Sequence, residues 1–214
     1  MGGFQFELSP DVEIGLTIIG GTVKILCIFK LCKGDIYMKI RDMVFTALLA
    51  ATICICAPFT IPVGVIPISL ATFAIYIAST VIGFRQGIAA VITYIIIGAV
   101  GLPVFSGFTG GFSKLVGITG GYIVGYIFLA AISGYIVDKN EKAVWVYPVG
   151  MIAGTTVLYI FGSMWFMFTT KSGVASTLAV CVVPFLIGDA LKIAAASVVS
   201  FNLRKTLKNY SGSN

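Results

Sequence analysis

Long apolar runs separated by short clusters of proline, glycine or charge organise most of the chain, at about 41–58, 67–84, 87–102, 119–137, 144–166 and 178–201. Each approaches the ~20 residues that a helix needs to cross roughly 30 Å of hydrocarbon. None alternates apolar with polar at the period of two that marks a barrel strand, so the runs read as helices. Their punctuation includes Pro58 and Pro62, the stretch Gly83-Phe84-Arg85-Gln86-Gly87, and Asp138-Lys139-Asn140-Glu141-Lys142. The pattern predicts an all-α integral membrane bundle of six transmembrane helices over residues 38–205. A long Gly-rich outer loop would join helices 3 and 4, and residues 206–214 would form a cytoplasmic tail.

Residues 1–37 break the pattern. The stretch Val12–Leu31 is apolar but contains Glu13 and Lys24, and Gly15, Gly20 and Gly21 interrupt it. A charge at the centre of a span costs a few kcal/mol (~2.5 or more) on insertion scales, which makes this a poor seventh helix. The sequence Met38-Lys39-Ile40-Arg41 resembles a start followed at once by the first span. The expectation is an N-terminal extension outside the functional core.

Composition sharpens the picture. Of 214 residues 58% are apolar, against 14 Lys and Arg and 8 Asp and Glu, and the mean hydropathy is +1.06. So few charges cannot cover the surface of a soluble globule, whose charged fraction is about 25%. With no histidine, Ser-His and Cys-His nucleophile pairs and imidazole-bound zinc are excluded. The five cysteines, Cys27, Cys32, Cys54, Cys56 and Cys181, form no C-x-x-C and read as small hydrophobes. No Gly-x-x-x-x-Gly-Lys-Ser/Thr phosphate loop occurs. The expectation is therefore a protein that is not an enzyme and needs neither cofactor nor metal.

The net charge of +6 reflects membrane topology rather than nucleic acid. Lys39, Arg41, Arg85, Lys139, Lys142, Arg204, Lys205 and Lys208 gather on one side of the predicted bundle, and only Lys114 and Lys171 on the other. Basic loops face the cytoplasm. Both ends of the core should therefore be cytoplasmic, in a multi-pass protein of the plasma membrane, with the loops at 59–66, 103–118 and 167–177 facing outward.

Two charges lie inside an apolar run. Asp189 and Lys192 are three apart, so on a helix they share a face and can touch. Either they are a structural ion pair or they serve a solute, the default reading of ionisable groups in a membrane interior. At 1.5 Å per residue Lys192 lies about 18 Å from Arg204, in the outer half of the bilayer. The outer segment from Gly101 to Tyr122 is dense in glycine, with Phe105, Phe108, Phe112 and Tyr122 interleaved. Such a stretch suits a lid or wall over a pocket, or a re-entrant connector. On the first run, Ala47 and Ala51 form a small-residue pair where another helix backbone can approach.

Taken together, Gly101-Leu102-Pro103-Val104-Phe105, Gly110-Gly111, Gly117-Ile118-Thr119-Gly120-Gly121-Tyr122 and Pro184-Phe185-Leu186-Ile187-Gly188-Asp189-Ala190-Leu191-Lys192 resemble the BioY family. These are the biotin-specific substrate-binding (S) components of energy-coupling factor (ECF) transporters. The resemblance covers about residues 38–205; Ile118 stands where the family usually has proline. It implies a six-helix S component that binds biotin near the outer surface. It also implies partners: a transmembrane coupling subunit, reached through Ala47 and Ala51, and two cytoplasmic ATPases. Biotin carries ureido N–H donors, an apolar bicycle and a carboxylate. Asp189 would accept from the ureido group, while Lys192 would neutralise Asp189 or bond a ligand oxygen. Phe105 and Tyr122 would pack on the bicycle, and Lys114 is the candidate partner of the carboxylate. The alternatives are an S component for another vitamin and a self-sufficient small secondary transporter.

Overall fold

A computed structural model describes residues 40–61, 68–140 and 142–211. All fall within the unit Met38–Asn214, and the expectation made for residues 1–37 lies outside the described residues. In chain order the elements are α1 (Ile40–Cys56), β1 (Thr60–Ile61), β2 (Ile68–Ser69), α2 (Ala71–Ile82), α3 (Phe84–Val100), α4 (Phe112–Val116), α5 (Gly120–Lys139), α6 (Val146–Thr170), α7 (Val174–Cys181) and α8 (Val183–Ser211). The protein is thus mostly helical, with an antiparallel pairing of Thr60 with Ser69 and Ile61 with Ile68 as the one sheet among the described residues.

Three stretches, Gly120–Lys139, Val146–Thr170 and Pro184–Leu207, are long and apolar enough to cross a membrane. The other apolar helices are shorter, and α2 is the clearest departure from the expected run at 67–84. It has only 12 residues, about 18 Å of rise. Its start is fixed by Ser69, whose hydroxyl donates to the Ala57 carbonyl (2.8 Å) and accepts from the Ala71 amide (2.9 Å). Its end is fixed by Gly83 at φ +96°, where a side chain would be strained and would press on the Asp138 carboxylate. Most of α2 is buried, as befits a short apolar helix at the centre of a bundle. The expected turn at 83–87 contracts to Gly83 alone, because Phe84 already begins α3. The expected run at 178–201 is broken at Val182 into α7 and the longer α8. The Gly-rich segment after α3 contains the short helix α4.

Helices α5 and α6 form the most extensively packed pair. Between membrane helices, small residues let backbones approach closely and dispersion supplies the attraction. Here Gly121 lies against the Trp165 side chain and Gly162 against the Tyr122 ring, each too close for even a Cβ. Polar side chains in the interior pair with one another: Tyr76 with Thr155 (2.5 Å) and Ser79 with Ser133 (2.8 Å).

At one end of the bundle a single guanidinium gathers several helices. Arg204 on α8 donates to the Thr80 carbonyl at the end of α2 (2.7 Å) and to Asp138 Oδ1 on α5 (2.6 Å). The other Asp138 oxygen accepts from the Phe84 amide at the start of α3 (2.8 Å). Charge-assisted bonds contribute roughly 1.5–3 kcal/mol where they are shielded, less where solvent screens them, and Asp138 is one-third exposed. Arg204→Ala is therefore expected to lower the melting temperature of the detergent-solubilised protein by several degrees. Ligand affinity should change less than about threefold, since this end lies far from the cavity described next; an unchanged melting temperature would remove the clamp's structural role.

Candidate functional site

The opposite end of the bundle holds a cavity of about 160 Å³. Five sequence-predicted residues, Phe105, Lys114, Tyr122, Asp189 and Lys192, all line it. They arrive from three separate regions: the loop after α3, α4 with the first turn of α5, and the first half of α8.

Asp189 and Lys192 face inward, 4% exposed for the aspartate, with Nζ 3.0 Å from Oδ1. Their i, i+3 spacing produces the contact, as the sequence expects. Lys192 Nζ also donates to the Ser69 carbonyl (2.7 Å) and to Thr72 Oγ1 (3.1 Å). An ammonium has three N–H donors, so all three have protein acceptors. The second carboxylate oxygen, Oδ2, accepts from the Tyr159 hydroxyl at 2.5 Å. The pair is thereby tied to β2 and α2 on one side and to α6 on the other.

Phe105 is fixed from several directions. Its ring meets Tyr94 edge-on, with centroids 5.6 Å apart, and rests on Gly98, where any side chain would collide with it. Its amide donates to the Thr109 carbonyl (2.8 Å) and its carbonyl accepts from the Thr109 amide (3.4 Å), closing a tight turn over the cavity. The turn is anchored below by the Gly111 amide on the Gly98 carbonyl (2.7 Å). Further along the same loop, the Gly117 carbonyl accepts from Trp165 Nε1 (3.0 Å). Tyr122, in the first turn of α5, is buried against Gly162. Lys114 on α4 is half-buried and forms no ion pair with a described acidic side chain. The glycine-rich loop is therefore an ordered wall that places an aromatic ring and a cation over the cavity.

Ala47 and Ala51 do not line the cavity. Both are exposed, one turn apart on α1, on a face shared with exposed Val44, Leu48 and Ile55. Among the described residues no group of three metal-binding side chains exists.

Sequence reasoning missed Tyr159, Thr72 and Ser69. The signal for Tyr159 was present: a phenol in the middle of an apolar run must find a partner for its hydroxyl. Nothing in the sequence pairs it with Asp189, thirty residues away. The contacts to Ser69 and Thr72 depend on where the short α2 begins, which the apolar pattern placed too early.

A mostly helical, membrane-type bundle with an end cavity lined by a buried ion pair defines a membrane protein built to hold a small solute. Comparison with known proteins narrows the class: residues 30–209 match the BioY family, and the chain belongs to that family. It is 34% identical over 165 residues to a Thermotoga maritima protein named biotin transporter BioY, covering 77% of this chain and 96% of that one. It is 30% identical over 167 residues to a Pyrococcus horikoshii protein named probable biotin transporter BioY, covering 78% of this chain and 98% of the other. Among solved structures, the S-component for biotin from an ECF-type ABC transporter superposes with a TM-score of 0.73 at 24% identity, covering 80% of this chain and 95% of that one. This last likeness shows the fold.

Removing the Tyr159 hydroxyl takes one of its bonds from a buried carboxylate, a loss worth about 1–3 kcal/mol. Tyr159→Phe should accordingly lower thermal stability while the helical circular dichroism persists. An unshifted melting curve would show that the Tyr159–Asp189 bond carries no weight.

Proposed function

We propose that this chain is the high-affinity biotin-binding S component of an ECF-type uptake transporter, rather than an enzyme or a channel. The observation that carries the reading is the buried Asp189–Lys192 pair lining the end cavity. Family membership and the named relatives support biotin as the guest. Six helices, α1, α2, α3, α5, α6 and α8, would make up the membrane bundle, with the shorter three held inside or beside the longer ones. The basic residues near Arg85, Lys139 and Arg204 support a cytoplasmic position for the clamped end in a plasma-membrane protein, with the cavity opening outward.

Each side chain has a part. Asp189 keeps acceptor capacity beyond the bonds from Lys192 and Tyr159, since a carboxylate offers about four lone-pair sites, and it accepts from a ureido N–H. Lys192, its donors committed to Asp189, Ser69 and Thr72, pairs with the carboxylate and braces α8 against α2. Of the two roles considered for this lysine, neutralising Asp189 is the one its contacts favour. Phe105 and Tyr122 pack against the fused bicycle. Lys114 receives the carboxylate at the outer mouth. Exclusion of water strengthens each of these contacts, which suits capture of a dilute vitamin better than conduction, where sites must be weak.

The exposed Ala47 and Ala51 offer a point of close backbone approach for the transmembrane coupling subunit, which would join this chain to two cytoplasmic ATPases.

Calorimetry or equilibrium binding with biotin, riboflavin and thiamine tests the substrate. Biotin should bind, and the others should not compete. Breaking a buried pair costs roughly 3–5 kcal/mol, and each ~1.4 kcal/mol is tenfold in affinity. Asp189→Asn and Lys192→Ala should each weaken biotin binding at least 100-fold in protein that still purifies as a folded species; unchanged affinity in both would overturn the site. Ala51→Trp should leave biotin binding intact while abolishing co-purification of the coupling subunit and ATPases, and normal co-purification would move the docking face elsewhere.

A further inference from the structure

The roles assigned above give the guest an acceptor for a ureido N–H and a cation for its carboxylate, but no donor for the ureido carbonyl oxygen. Lys192 does not serve it, because its three hydrogens go to Asp189, Ser69 and Thr72. The Tyr159 hydroxyl is committed to Asp189 Oδ2. A further phenol lines the cavity: Tyr126, on α5. Four residues past Tyr122, it shares that residue's face of the helix and lies about 6 Å deeper. Tyr126 is 7% exposed, and among the described residues its hydroxyl has no hydrogen-bond partner. The unpartnered polar atoms shut off from any open space are the hydroxyls of Ser163, Thr177 and Ser200. The Tyr126 oxygen is not among them, so the small surface this residue keeps includes its hydroxyl, and the space it meets is the cavity.

We propose that Tyr126 is a ligand-contacting specificity residue whose hydroxyl donates to the ureido carbonyl oxygen, an inference that rests on the biotin reading. A phenol can donate or accept. Asp189 already supplies acceptor capacity beside it, so a donor is what the polar end of the guest lacks. A polar group held away from water without a partner carries a desolvation penalty. The hydroxyl and the carbonyl each bear that penalty apart, and relieve it together. The neighbouring phenols have no such need: Tyr76 is bonded to Thr155 and Tyr159 to Asp189. The Tyr126 ring belongs to the apolar core, and a tyrosine has only two side-chain torsions to fix. Its hydroxyl is therefore positioned before the guest arrives. Ile123, Leu158 and Phe185, which also line the cavity, offer apolar side chains with no donor to take its place. A site that ends on a buried hydrogen-bonding group rejects an analogue lacking the matching atom, because the group is then left unpaired.

The test compares wild type with Tyr126→Phe in the full chain, purified in mild detergent. The ligands are biotin, desthiobiotin, which keeps the ureido group and lacks the sulfur, and biotin carrying carbon-13 at the ureido carbonyl. Without ligand the variant should melt no lower than wild type, since the substitution removes a hydroxyl that bonds to no described residue; this sets it apart from Tyr159→Phe. Affinity for biotin and for desthiobiotin should fall together, by roughly 10- to 100-fold, the loss expected when a buried acceptor goes unpaired. Isotope-edited infrared spectra of the bound, labelled biotin should show the carbonyl stretch at higher frequency in the variant, because a donated hydrogen bond weakens the C=O bond. A purely structural role for Tyr126 would not move that band. If wild type binds biotin and the variant binds it equally well, or with the carbonyl band unshifted, the assignment of Tyr126 is overturned and the functional reading stands. Failure of wild type itself to bind biotin would overturn that reading and this role with it.

Discussion

In a hydrocarbon environment a polar group without a partner costs several kcal/mol (~2–7 in low-dielectric transfer), and the bundle is arranged around that penalty. Its most expensive occupants are Asp189 and Lys192. Satisfying them requires the Ser69 carbonyl and Thr72 from the α2 entrance and Tyr159 from α6. One ion pair on α8 thus fixes where two other helices must stand. The cavity is a consequence: the groups that satisfy the pair approach from the sides and leave its remaining face to the space beneath the Phe105 loop.

A pair held this way has two uses that are hard to separate by substitution. It specifies packing, since each partner comes from a different element, and it presents acceptor capacity in low dielectric. Losing Lys192 would unbrace α8 and strand a carboxylate, so reduced binding alone cannot distinguish a bracing lysine from a ligand-contacting one. The distinction comes from the donor inventory, in which all three ammonium hydrogens have protein acceptors within 3.1 Å.

Much of this was legible in the chain. The runs at 119–137 and 144–166 correspond to α5 and α6 within a few residues, because long, continuous apolar segments are a strong signal. Asp189 and Lys192 stood out as charges where charges are costly, and the Gly-rich stretch as a segment that could not be a regular helix. What escaped was set by tertiary detail. The length of α2 depends on the Ser69 hydroxyl and on Gly83, both embedded in apolar sequence. The break at Val182 has no glycine to announce it. Tyr159 reads as one more aromatic in a membrane run until Asp189 is placed beside it. Apolar pattern locates helices; it does not say which hydroxyl faces which carboxylate.

The two ends of the bundle differ in a way that constrains how a bound guest could reach the cytoplasm. At one end a cavity sits under a loop joined by short backbone bonds and aromatic edges. At the other, Arg204 joins α2, α5 and α8 and, through Asp138, the start of α3. Asp189 and Arg204 are fifteen residues apart on α8, about 22 Å along its axis. The interior between them is packed with side chains such as Tyr76, Met151 and Ile193. A path through this interior would have to separate helices at their best-tied end and expose several buried hydroxyls to the opening. Moving the cavity as a whole, with its contacts intact, costs none of those bonds. On the proposed function, a coupling subunit engaging the exposed face of α1 supplies a lever for such a rigid-body movement. The work of transport would then fall on the partner, and the binding protein would need only a site tight enough to fill and a wall loose enough to reopen.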